Sequence, residues 1–146
     1  MAIFQVNQSD SFATEYAGSY LCCPVGPYGG WPTMTRLKIG DQIVHYDGSK
    51  NNKIIRGISI VIPIKTVGLN NPQIVSPACA KISPPHLSLQ AFSVTKSADV
   101  SRYQYFYVVY VKHQVAMDDP NLKKLPHVTY GGYLCRYPYS LSSIGV

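Results

Sequence analysis

Glutamate is almost missing from this chain: Glu15 is the only one among 146 residues, and seven acids in all face thirteen Lys and Arg. Sugar hydrolases and magnesium-holding nucleases need paired carboxylates in one site. Asp118 and Asp119 are adjacent, but ahead of Pro120 they read as a turn, so no catalytic carboxylate pair is expected. Zinc spacing is missing too. His45, His86, His113 and His127 are scattered, with no His-Glu-x-x-His and no Cys-x-x-Cys, and no metal or cofactor is expected. Charged residues make up only 14%, against about 25% in an average domain, which excludes a disordered acidic tail or a long solvated helix. No apolar run approaches membrane-spanning length, because the stretch 54–67 is interrupted by Arg56, Gly57, Pro63 and Lys65.

What is present is cationic and rich in strand formers. A net charge of +6 argues for an anionic partner. The length suits one domain with one core, taken as 1–146, which can stand without disulfides or a structural metal. Cys22, Cys23, Cys79 and Cys135 include a vicinal pair, rarely bridged to itself. With an amino terminus that turns polar after six residues, they point to a reducing, cytoplasmic setting and no signal peptide.

Ile3 to Val6 reads as a strand, and a short helix is expected across Ser11 to Tyr16, capped by Ser9 or Asp10 and closed by Gly18. Tyr20 to Cys23 resumes β character. Residues 24–35 hold three prolines and three glycines and must be a loop. Trp31, the only tryptophan, sits in it as either a lid anchor or a binding platform. Gln42 to Tyr46 and Lys53 to Ile62 form a hairpin after a Gly40-Asp41 turn. Residues 66–85 read as an irregular excursion, Tyr103 to Val111 as the strongest and a central strand, and 127–139 as one or two closing strands. The expected fold is α+β, mostly β: a strongly curved sheet or small barrel of about five or six strands with one or two short helices.

Asn7-Gln8, Ser11-Phe12, Glu15, Gly18-Ser19-Tyr20-Leu21, Pro24, Trp31, Met34, Gly40-Asp41-x-Ile43-x-His45-Tyr46 and Ile58-Ser59-x-Val61 follow one another in that order. Their spacing resembles the EVE-type domains of the PUA-like superfamily, especially those attached to modification-dependent restriction endonucleases. The match runs over residues 3–62 and holds only in outline from 103 to 146. The resemblance implies a reader that flips a modified base into an aromatic pocket, methylated or hydroxymethylated cytosine in DNA first, with a YTH-like reading of methylated adenine in DNA or RNA as the alternative. Stacking of about 1 to 3 kcal/mol per aromatic contact can largely offset the cost of extruding the base.

On this reading Trp31, Tyr20 and Tyr110 are pocket walls, and Asn7, Gln8 and Ser59 offer groups for a Watson-Crick edge. Cys22 stands where the family places tryptophan, which leaves a smaller, softer wall. His45 and Tyr46 fit the motif but read as structural. Arg36, Lys38, Lys50, Lys53, Arg56 and Arg102 are the candidate phosphate-tracking charges. The chain carries no nuclease motif, so it is expected not to be an enzyme, with cleavage supplied by a fused or associated nuclease domain. A thiol enzyme using Cys22 or Cys23 lacks a placed histidine base. A β domain for structure or protein interaction, with a degenerate pocket, is the remaining alternative.

Overall fold

In the computed structural model, residues 1–8, 16, 19–26, 30–49, 53–83, 103–129 and 132–146 are described. Alternation of apolar side chains makes strands of nearly every segment where it was expected. They are β1 (Ile3–Gln8), β2 (Tyr20–Pro24), β3 (Gln42–Asp47), β4 (Ile54–Val61), β5 (Gln73–Ser76), β6 (Cys79–Ile82), β7 (Phe106–His113) and β8 (Leu134–Arg136). One curled, half-barrel sheet joins them in the order β5-β6-β7-β4-β3-β1-β8, with β2 on β7. The class is the expected one, mostly β, with eight strands among the described residues instead of five or six. Lys50, Arg102 and most of the helix expected across Ser11 to Tyr16 lie outside the described residues.

The extra strands correct the reading of residues 66–85. That stretch contains the β5/β6 hairpin, and β6 pairs with β7 from Cys79 opposite Val109 to Ile82 opposite Phe106. Four-residue strands on either side of Pro77-Ala78 are too short to show a period. At the other end of the chain only Leu134–Arg136 forms a closing strand among the described residues.

As expected, β7 is central: Phe106 to Val109 are flanked by both β2 and β6, and Val111 to His113 continue alongside β4. Its alternation splits the interior. Val109 and Val111 join a cluster with Phe4, Leu21, Met34 and Ile43, while Phe106 and Val108 join another with Tyr20, Cys22 and Ile82. A third cluster, around Val44, Ile58, Leu122 and Tyr137, lies under the short 3-10 turn Pro120–Lys124. The β3/β4 hairpin forms as expected, with a bulge between His45 and Tyr46. β1 runs parallel to β3 and antiparallel to β8, so the ends of β1 and β3 share each rim of the sheet. Among the described residues no helix is long and apolar enough to cross a membrane.

Candidate nucleic-acid interface

The sequence-predicted pocket residues divide into three places. Tyr20 opposes Tyr110 across β2 and β7, and both pack in the cluster that holds Cys22. Tyr20 is 2% and Cys22 0% exposed, so neither can line an open pocket as it stands. Their strand positions alternate with apolar neighbours between two covered faces, and that is what buries them. Tyr110 is half-buried and borders a shallow cavity of about 540 Å³ with Lys65 and Val67. Burial raises its phenol pKa, so the hydroxyl stays protonated at neutral pH.

Trp31 is elsewhere. The 3-10 turn Trp31–Arg36 follows Gly30, whose φ of 78° is the left-handed conformation such an entry needs. Three residues per turn put Trp31 and Met34 on one side and Thr33 and Arg36 on the other. Met34 is fully buried, and Trp31 packs on the same cluster, edge-on to Tyr103 at 5.4 Å between centroids. Trp31 is partly buried in this packing, as an anchor would be, and it lies apart from the cluster of Tyr20 and Tyr110. It fastens a turn whose opposite side carries Arg36.

Asn7, Gln8 and Ser59 are brought close but turn toward the protein. Asn7 donates through Nδ2 to the Gly132 carbonyl and accepts from Gln5 Nε2 at 2.6 Å. Gln8 Oε1 lies 3.0 Å from His45 Nδ1, and Ser59 Oγ lies 2.6 Å from His45 Nε2. Serine, histidine and amide in a row have the connectivity of a hydrolytic triad, yet Ser59 and His45 are each 0% exposed and no substrate reaches them. The chain braces β1, β3 and β4 instead, which fits the structural role expected of His45.

Burial pushes the His45 pKa down to about 3, with the charge of nearby His113 adding to the effect. The imidazole is therefore neutral, with its proton on Nδ1 donated to Gln8 and its bare Nε2 accepting the Ser59 hydroxyl. The folded pKa lies below the unfolded value of about 6.5, so the unfolded chain takes up the proton first as pH falls. Stability from this group is fully present above about pH 6.5 and is lost progressively below it, by about 2 kcal/mol between pH 7 and pH 5. Urea titrations at the two values should show that loss, and His45→Gln should flatten it. An unchanged slope in the variant would remove His45 as its source.

The candidate phosphate-binding charges also separate. Arg56 is committed: Nη1 donates to Asp47 Oδ2 at 2.8 Å, while Nε and Nη2 form a fork onto Asp118 at 2.8 and 2.9 Å. One guanidinium held between two carboxylates has its donors engaged, and Arg56 is corrected from phosphate contact to internal clamp. Lys53 is exposed nearby at the start of β4.

Arg36 and Lys38 are at the opposite rim. There, beside the amino ends of β1 and β3, they line a cavity of about 520 Å³ with Phe4, Thr33, Cys135 and Arg136. The Arg136 guanidinium lies 5.3 Å from the Phe4 ring centroid. Asp41, the one acid in its lining, is turned inward: its Oδ1 accepts from the Ala2 amide at 3.0 Å and its Oδ2 from the Lys38 amide at 2.8 Å. Three cations around one hollow can hold a phosphate, and the Arg136 guanidinium, lying over the buried Phe4 ring, offers a flat outer face. Arg136 escaped the sequence reading because its strand is only three residues long and its neighbours in the site come from residues 4 and 33–38.

No family model matches the chain, and no curated protein matches it in sequence. Solved structures do. A hypothetical protein from Leishmania major aligns with 99% of this chain and 90% of its own at a TM-score of 0.50 and 9% identity, a likeness of fold. A Pseudomonas syringae protein aligns at a TM-score of 0.43 and 14% identity, over 92% of this chain and 91% of that one. Human THYN1, solved in complex with 5-methylcytosine-containing DNA, aligns at 0.41 and 8% identity over 80% of this chain and 70% of its own.

Proposed function

We propose that this chain is a nucleic-acid-binding module that reads a modified base, methylated or hydroxymethylated cytosine in DNA first, and that it directs a restriction endonuclease whose cleavage chemistry belongs to another domain or partner. The carrying observation is the cavity at the amino rim, where Arg36, Lys38 and Arg136 converge beside the Phe4 ring. Its volume falls within the range of small-ligand sites, roughly 300 to 1,000 Å³. Arg36 and Lys38 on its rim engage phosphates, and the planar Arg136 guanidinium offers a face on which an extruded base stacks. The motif order from Asn7 to Val61 supports base reading over simple phosphate tracking. Nothing in such a hollow hydrogen-bonds a methyl group, so discrimination comes from area and shape and amounts to about 10- to 200-fold.

Fluorescence anisotropy with unmodified, 5-methylcytosine, 5-hydroxymethylcytosine and methyladenine duplexes at two salt concentrations tests this reading. The expected result is tightest binding to a modified-cytosine duplex and a steep loss of affinity with salt. Arg36→Gln with Lys38→Gln should lower the salt slope by about 2, one for each phosphate contact removed. A preference for methyladenine would favour the YTH-like alternative. Equal affinity for all four duplexes, or none even at about 50 mM salt, would overturn base reading.

A further inference from the structure

Arg36 and Lys38 border a second hollow that shares them with the first. This one, about 440 Å³, lies between the segment 35–39 and the turn that joins β5 to β6. Its character is different: the lining is mainly apolar, with Ile39 and Pro77 over the buried Leu37 and Ala78, and Thr35 and Ser76 also border it. Ile39 is 49% exposed, unusual for an isoleucine with a hollow at its side. β5 continues the apolar surface from the turn. It stands at the end of the sheet order, pairs only with β6 among the described residues, and exposes Ile74 and Val75 by 59% and 41%. Val75 is the extra residue of a β-bulge between Ile74 and Ser76, which bends the strand and leaves Val75 exposed beside Ile74. Four residues and a bulge blunt this edge, yet no lysine or proline stands inside it, and among the described residues no strand pairs with its outer side.

The geometry points to a docking site for an extended acidic peptide segment of a protein partner. Its backbone pairs with the outer edge of β5, one large apolar side chain fills the hollow beside Ile39, and its carboxylates meet Arg36 and Lys38. Strand addition supplies main-chain hydrogen bonds, and the hollow supplies selectivity for the anchoring side chain. Charge complementarity selects the occupant: the two charged side chains that line the apolar hollow are both cations, on a chain with a net charge of +6. An apolar segment with lysines would meet like charge there.

The two hollows share these cations, so a docked peptide and a nucleic acid compete. This competition rests on the nucleic-acid reading proposed above, whereas the docking itself does not. Bound peptide would neutralise Arg36 and Lys38 and leave Arg136 as the one remaining cation of the three, so partner and nucleic acid regulate each other reciprocally.

The test uses a labelled ten-residue peptide of alternating Val and Thr with one central Phe and two flanking Asp, with a Lys-for-Asp version as control. The intact chain is expected to bind the Asp peptide at least 10-fold tighter than the Lys version. Ile39→Ser and, separately, Val75→Pro should each weaken that binding at least 10-fold while circular dichroism and the unfolding midpoint show a folded chain. Neither residue lines the cationic cavity, so oligonucleotide affinity should stay within 2-fold. Unlabelled Asp peptide should displace oligonucleotide from the wild type and not from Ile39→Ser. No difference between the two peptides, or binding unaltered by both substitutions, overturns the docking site. Concentration-dependent dimerisation that Val75→Pro abolishes, without peptide binding, also overturns it in favour of a second copy on this edge. Peptide binding by a chain that takes up no oligonucleotide would retain the docking site and discard the nucleic-acid reading.

Discussion

Arg56→Met is expected to destabilise the fold by about 3 to 5 kcal/mol, although the side chain it removes is partly open to solvent. The reason lies in what is left behind. Asp47 is 2% exposed, and besides the Arg56 guanidinium its carboxylate accepts from the Ser49 amide at 2.9 Å. Without the arginine this buried carboxylate loses the guanidinium whose opposite charge offsets its desolvation. Asp118 is a different case: its side chain is 48% exposed, so Asp118→Asn should cost no more than about 1 kcal/mol. The Arg56 fork, with its two bonds to Asp118, pulls that carboxyl's pKa below the usual range, so its small contribution is present above the ordinary carboxylate pKa and lost as pH falls. Arg56→Lys should fall between, since it restores charge without the fork. Urea denaturation ranks the three variants. A loss below about 1 kcal/mol for Arg56→Met would mean that Asp47 is reached by water once the arginine has gone.

Gly57→Ala is expected to cost about 3 kcal/mol, at the upper end for an added methyl group. A Cβ at residue 57 would lie 2.5 Å from Tyr16 Cε2 and 2.6 Å from its Cζ. A ring at the end of a side chain can ordinarily swing away, but this one is held on several sides. The His113 ring stacks on it at 3.7 Å and 5°, His45 meets it edge-on at 4.8 Å, and its hydroxyl donates to the Val115 carbonyl at 2.8 Å. Burial drives its phenol pKa up to about 12, so it is a neutral donor throughout the working range. Displacing Tyr16 therefore disturbs the histidine beneath it. Tyr16→Leu makes room for the methyl group, and the double variant should be less destabilised than the sum of the singles by at least 1 kcal/mol. Strict additivity would show that residue 57 is accommodated by backbone movement instead.

The strands were legible wherever four or more β-branched or aromatic residues ran together, as in Tyr105 to Val111 and Gln42 to Tyr46. The β5/β6 hairpin was not, because Gln73–Ser76 and Cys79–Ile82 owe their strand character to pairing partners. The parallel placement of β1 on β3 has no local signature either. At the site, sequence supplied residue types without facing. Tyr20 and Cys22 look like pocket walls until β7 and β6 cover them, and Arg56 looks like a surface cation until Asp47 and Asp118 flank it. Arg36 and Lys38 were legible as charge, but their meeting with Arg136 depends on β8 lying against β1.

That last pairing joins the first strand to the final one made. Gln5 sits opposite Cys135, and the Tyr137 amide donates to the Ile3 carbonyl at 2.9 Å. During synthesis the flank of β1 that β8 covers stays without that partner until residues 134–136 have emerged. Closing so long a loop is slow relative to hairpin formation, so the cavity that needs Arg136 is expected to take shape after the β3/β4 hairpin.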